Sequence, residues 1–128
     1  MTWFGSRWAN MILNFPASLK IETVKRVQII RNGNTNNVAE NSTAVRTIAA
    51  VTSASGTIAY SVVAGGDGAA FTINSGSGAL VFASAPDFET PTDADADNIY
   101  VVTIRATWTE ESLTDDVTYY ITVTNVAE

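Results

Sequence analysis

The chain has 128 residues, 46% of them apolar, which is enough for one packed core, and it contains no cysteine and no histidine. Disulfides, thiolate metal sites and imidazole chemistry are therefore excluded, and oxygen-ligated cations such as calcium or magnesium are the metals its side chains suit. The formal charge of −6 is uneven: residues 1–31 carry five basic side chains (Arg7, Lys20, Lys25, Arg26, Arg31) against Glu22, or +4, and the rest carries two (Arg46, Arg105) against twelve acids, or −10. Opposite signs at the two ends allow attraction between copies, and so few basic groups on an acidic body argue against nucleic acid.

Residues 1–17, MTWFGSRWANMILNFPA, crowd Trp3, Phe4, Trp8, Met11, Ile12, Leu13 and Phe15 ahead of Pro16. Ser6 is placed to cap one or two helical turns over Arg7 to Leu13, too short to be stable alone. So apolar a cluster is expected to be buried on its own domain or on a neighbour. Arg7, Asn10 and Asn14 interrupt it, so no secretory leader is expected, and no stretch reaches the eighteen or so apolar residues of a membrane span. Ser18 to Arg31 is rich in β-branched residues and reads as an extended basic strand bent near Lys25. Asn32-Gly33 is a type I′ turn candidate. Residues 1–37 are thus expected to form an N-terminal arm used for assembly or docking, and residues 38–128 the folded domain.

From Val38 onward the expectation is all-β. Alternation is clearest in IYVVTIRATW, where Tyr100, Val102, Ile104, Ala106 and Trp108 share one face, and it recurs in Val117, Tyr119, Ile121 and Val123 and in Ile58, Tyr60 and Val62. AFTI and ALVF read as short strands joined through Asn74 to Gly78, and Gly65, Gly66 and Gly68 break the chain ahead of them. With one or two strands between Val38 and Val51 the total is about seven, the count of an immunoglobulin-like Greek-key β-sandwich.

Three acidic features stand out: Glu40, the pair Asp87 and Glu89, and the alternate aspartates Asp93, Asp95 and Asp97. The last three could reach one cation, but Asn98 and Ile104 stand where a calcium loop of the EF-hand type needs glycine and glutamate. A solvated loop guarding the end of the sheet is the alternative. An enzyme is not expected: a serine nucleophile would have only lysine as base, and no pair of facing carboxylates is evident. Asn41-Ser42-Thr43 matches a glycosylation acceptor in form and is read as the turn into a strand.

The segments VAENSTAV, IAYSV, FTINSGSGAL, PDFETPTDADADNIYVVTIRAT and ITVTNVAE, in that order over residues 38–128, resemble a bacterial cadherin-like repeat. The resemblance implies a seven-stranded Greek-key sandwich of the kind found in tandem in surface adhesins, with calcium at the junctions. It implies Glu40, Asp87 and Glu89 as calcium ligands. It also marks departures: Thr52 and Ala54 replace an aspartate pair, Trp108 replaces another aspartate, and acids after the last strand are wanting. The expected cofactor is therefore calcium on an incomplete ligand set, or none. Two roles follow. One is a structural subunit of a virion surface (decoration, cement or tail) or of an extracellular filament, bound to copies of itself or to other proteins of the same particle. The other is a calcium-dependent adhesion module.

Overall fold

The computed structural model describes residues 24–128. The aromatic segment Trp3 to Phe15 and the helical turns expected over Arg7 to Leu13 lie outside the described residues.

The described residues form nine strands: β1 (Val27–Ile29), β2 (Thr35–Ala39), β3 (Ala44–Thr47), β4 (Ala50–Thr52), β5 (Ile58–Val62), β6 (Phe71–Ile73), β7 (Ala79–Phe82), β8 (Ile99–Trp108) and β9 (Leu113–Thr124), with one 3-10 turn at Gly68–Ala70. One layer has the order β2-β9-β8-β5, with β2 parallel to β9 and the other pairs antiparallel. The facing layer has the order β3-β7-β6, and β1 pairs with β4 beside it. β3 and β4 flank Ile48, whose N–H donates to the carbonyl of Gly78 at 2.8 Å. They are one strand broken at a corner, and β1 and β2 are another. The nine strands therefore reduce to the seven expected, in an immunoglobulin-like sandwich.

The alternation legible in the sequence is the alternation the core uses. Tyr100, Val102, Ile104, Ala106 and Trp108 are each at most 1% exposed, and Tyr119, Ile121 and Val123 face them from β9. Two phenol hydroxyls tie this core to the backbone around it. Tyr60 Oη accepts the N–H of Ala50 at 2.9 Å, and Tyr100 Oη accepts that of Thr92 at 3.0 Å. At one end of the core Phe71 and Phe82 each pack edge to face with Tyr100, the Phe82 and Tyr100 centroids being 5.1 Å apart.

Two expectations change. Val27 and Ile29 are buried while Gln28 is exposed, and all three pair with β4. The folded body therefore reaches back at least to Val27, eleven residues ahead of the boundary expected at 38. The period-two pattern of VQI is the physical reason. Asn32-Gly33 is not a hairpin turn either. Gly33 alone takes a positive φ, +97°, and the chain passes there from β1, paired to β4, to β2, paired to β9 in the opposite layer. Arg46 on β3 fixes this crossing. Its guanidinium donates to Asn32 Oδ1 (2.7 Å), the Gly33 carbonyl (3.0 Å) and Asn36 Oδ1 (2.9 Å), and it lies 4.7 Å from the centre of the Tyr119 ring.

Candidate functional site

The β2–β9 ladder ends where Glu40 N–H donates to the Thr124 carbonyl at 3.0 Å, which turns the Glu40 side chain inward at one end of the sandwich. Glu40 is 2% exposed. So deep a carboxylate requires donors, and it has two. Oε2 accepts the N–H of Phe88 at 2.9 Å and Oε1 that of Val126 at 2.8 Å. One side chain thus joins the end of β2, the loop before β8 and the segment after β9.

Around it stand two exposed acids. Glu89 Oε1 accepts from Asn125 Nδ2 at 2.6 Å, and Glu128 Oε2 accepts from Asn41 Nδ2 at 2.7 Å. Glu40, Glu89 and Glu128 each bring a carboxylate oxygen within 4.8 Å of the other two. Three like charges so close repel one another, and a hard cation would relieve this. Of the expected set Glu40, Asp87 and Glu89, the fold brings together the first and third. Asp87 is not in the grouping, because its Oδ1 is turned back to accept the N–H of Glu89 at 3.0 Å. Glu128 takes part, although the resemblance marks acids after the last strand as wanting. The sequence signal for it was only its place, four residues beyond β9. All the donors are oxygens, which fits calcium, but three carboxylates fall short of the six to eight oxygens that ion takes.

Asp93, Asp95 and Asp97 form a second grouping within the same distance. Here the loop is held by its own main chain. Asp93, 5% exposed, accepts the N–H of Asp97 at 2.9 Å and of Asn98 at 3.1 Å. Burial pushes the Asp93 carboxyl up, but those N–H groups and hydrogen bonds shared with Asp95 and Asp97 outweigh it, and the group sits below the usual carboxylate range. Asp95 is pushed the other way, first by its hydrogen bond with Asp93, then by burial and by Asp97. Asp67, which the sequence did not single out, staples this loop to β8: its carboxylate accepts the N–H of Ala94 (2.7 Å) and of Val101 (2.8 Å). Asn98, at φ +65°, donates to the Phe88 carbonyl and so ties the acidic loop to the Glu40 end.

The described part of the basic strand, residues 24–31, is bound within its own copy. Lys25 pairs with Glu111 at 3.1 Å and Arg31 with Asp115 at 3.0 Å. Two of the charges that suggested attraction between copies are therefore engaged inside one chain.

No protein-family model matches the chain, and no curated protein matches it. Solved structures do. Drosophila N-cadherin EC1-3 superposes with a TM-score of 0.68 at 27% identity, over 79% of this chain and 34% of that one. Mouse cadherin-23 EC22-24 gives 0.63 at 23% identity, over 80% and 32%. Human protocadherin-24 EC1-2 gives 0.63 at 17% identity, over 80% and 44%. The chain thus spans less than half the length of each of these structures, and the likeness establishes a cadherin-like fold. Among the described residues, no helix is long and apolar enough to cross a membrane.

Proposed function

We propose that this chain is a non-enzymatic structural module of an extracellular surface, carried on a virion or a filament, that assembles with copies of itself or with other proteins of the same particle through its N-terminal segment. The observation that carries this reading is where that segment joins the body. Val24 is 78% exposed and Lys25 is tied at the surface to Glu111, so the chain enters the sandwich from outside. The contact residues in this reading are Trp3, Phe4, Trp8, Met11, Ile12, Leu13 and Phe15. Bulky apolar side chains of this kind dominate the energetics of interfaces. The test is deletion of residues 1–17. The sandwich is expected to keep its cooperative melt while assembly is lost; a truncated chain that still assembles would refute the role of the segment.

A second reading, a calcium-dependent adhesion module, is favoured by the Glu40, Glu89 and Glu128 grouping. It also draws on the likeness to structures described as several cadherin repeats in one chain. In it these three acids supply one side of a calcium site and a neighbouring module supplies the rest. Thermal unfolding in millimolar calcium against chelator separates the two readings, because a ligand held only by the folded state raises the melting temperature.

A further inference from the structure

The sandwich has an asymmetric border. β8 pairs with β9 from Leu113 to Thr122, but β2 covers the other side of β9 only from Tyr120 to Thr124. The crossing at Asn32-Gly33 carries the preceding residues into the opposite layer. Along Thr114 to Thr118 the side of β9 away from β8 therefore has no strand paired to its main chain among the described residues; β1 runs near it but pairs with β4, and meets β9 only through side chains such as Asp115. Alternate residues of a strand turn their N–H and C=O to the same side. Tyr120 N–H meets the Asn34 carbonyl there, so Asp116 and Thr118 present theirs on that side too. Two side chains stand in for the missing strand. Arg31 Nη2 donates to the Asp116 carbonyl at 3.4 Å and Asn34 Nδ2 to the Thr118 carbonyl at 3.3 Å. A groove of about 410 Å³ opens over these residues, with Tyr120, 42% exposed, at its end.

We propose that this uncovered edge of β9, from Thr114 to Thr118, is where a second copy docks, by adding its residues 18–23, SLKIET, as a strand. This rests on the assembly reading above and names its acceptor. In SLKIET, Leu19 and Ile21 alternate with Lys20 and Glu22. β9 alternates in the same way, with Val117 and Tyr119 packed on the core and Asp116 and Thr118 outside. An added strand would extend the core with Leu19 and Ile21 and set Lys20 over the outer face that carries Asp116. Main-chain hydrogen bonds give such a contact its affinity and the side-chain alternation its register. The donor is a second copy because β1 already runs alongside β9 in the parallel sense. The chain's own residues 18–23 would have to reverse within Thr23-Val24-Lys25, a stretch with no glycine, proline or asparagine. Copies joined in this way form a reciprocal dimer, a ring or a fibre.

The test is Thr118→Pro in the full chain. Thr118 and Thr103 face each other across β8 and β9, and the Thr103 carbonyl bonds Val63 on the far side, so Thr118 N–H is not part of the β8 ladder. Proline there removes an N–H donor from the open edge, and with it the Thr118 hydroxyl that meets Thr103 Oγ1 at 2.8 Å, so Thr118→Val, which loses only the hydroxyl, is the control. A cooperative melt with at least a tenfold rise, relative to Thr118→Val, in the concentration needed for assembly supports the site. Wild-type assembly with Thr118→Pro would overturn it while leaving the assembly reading standing, and a wild-type chain that is monomeric at every concentration overturns both. The chain has no cysteine, so a second measurement needs no proline. Lys20→Cys and Thr118→Cys chains, mixed and oxidised, are expected to form a disulfide between chains. A Lys20→Cys/Thr118→Cys double variant that closes only within one chain would overturn the second copy as donor.

Discussion

Glu40 Oε1 accepts a 2.8 Å hydrogen bond from the N–H of Val126, a residue 86 positions away. With the bond from Phe88 to Oε2, it makes this buried carboxylate the fastening of one end of the sandwich. Glu40→Ala strands two N–H groups in a site that water scarcely enters, and is expected to cost about 2–4 kcal/mol. Glu40→Gln keeps one acceptor and is expected to cost less. Urea denaturation of the two variants checks the order, and equal losses would mean that packing, not the acceptor oxygens, matters at this position.

The acidic loop yields two opposite expectations. Asp93→Asn weakens acceptance from Asp97 and Asn98 and is expected to destabilise. Asp95→Asn removes a carboxyl that the fold holds above its usual range, which means that its ionised form is disfavoured in the native state, so at neutral pH the change is expected to be neutral or stabilising. Melting curves of both at pH 7 decide it. If instead both variants destabilise, and only when calcium is present, the loop is a cation site.

The Arg31–Asp115 pair serves both edges of the border where the layers diverge. Asp115 Oδ2 accepts the N–H of Ile29 at 2.7 Å, while Arg31 donates to the Ile29 carbonyl at 3.0 Å. The hydrogen bond from Arg31, against the opposing effect of burial and aided by Ile29 N–H, holds the Asp115 carboxyl below its ordinary value. The unfolded chain therefore takes up this proton first as pH falls. The stability Asp115 contributes is complete above the ordinary carboxylate range and is lost as pH drops through the lower, folded value. Asp115→Asn is expected to lower stability at pH 7 and to flatten the decline on acidification. Denaturant midpoints at pH 7 and pH 3 measure it.

Gly78 has a φ of +76°, and a Cβ there would lie 2.2 Å from the Ile48 carbonyl oxygen, which is backbone and cannot rotate away. Gly78→Ala is expected to destabilise by about 2–3 kcal/mol through the β3–β4 corner. Gly76→Ala, whose Cβ meets nothing closer than Asn74 Oδ1 at 3.5 Å, is the control within the same loop.

Much of this was legible in the sequence, for a physical reason. A half-buried strand writes its burial into every second residue, so Tyr100 to Trp108 and Val117 to Val123 declare the core directly. β1 is legible as part of an extended strand, but the layer it joins is not, and the crossing at Asn32-Gly33 looks like a hairpin until Arg46, from a different strand, is seen to hold it. At the acidic end, Glu40 and Glu89 could be named from their motifs. Asp87 stands outside the grouping, its Oδ1 engaged in its own local turn, and Glu128 and Asp67 carry no motif because contacts between segments recruit them.

The measurement that bears most directly on the assembly reading is the molar mass of the full-length chain by light scattering, in calcium and then in chelator. A multiple of the single-chain mass in both buffers is expected. A single-chain mass in both buffers would contradict it.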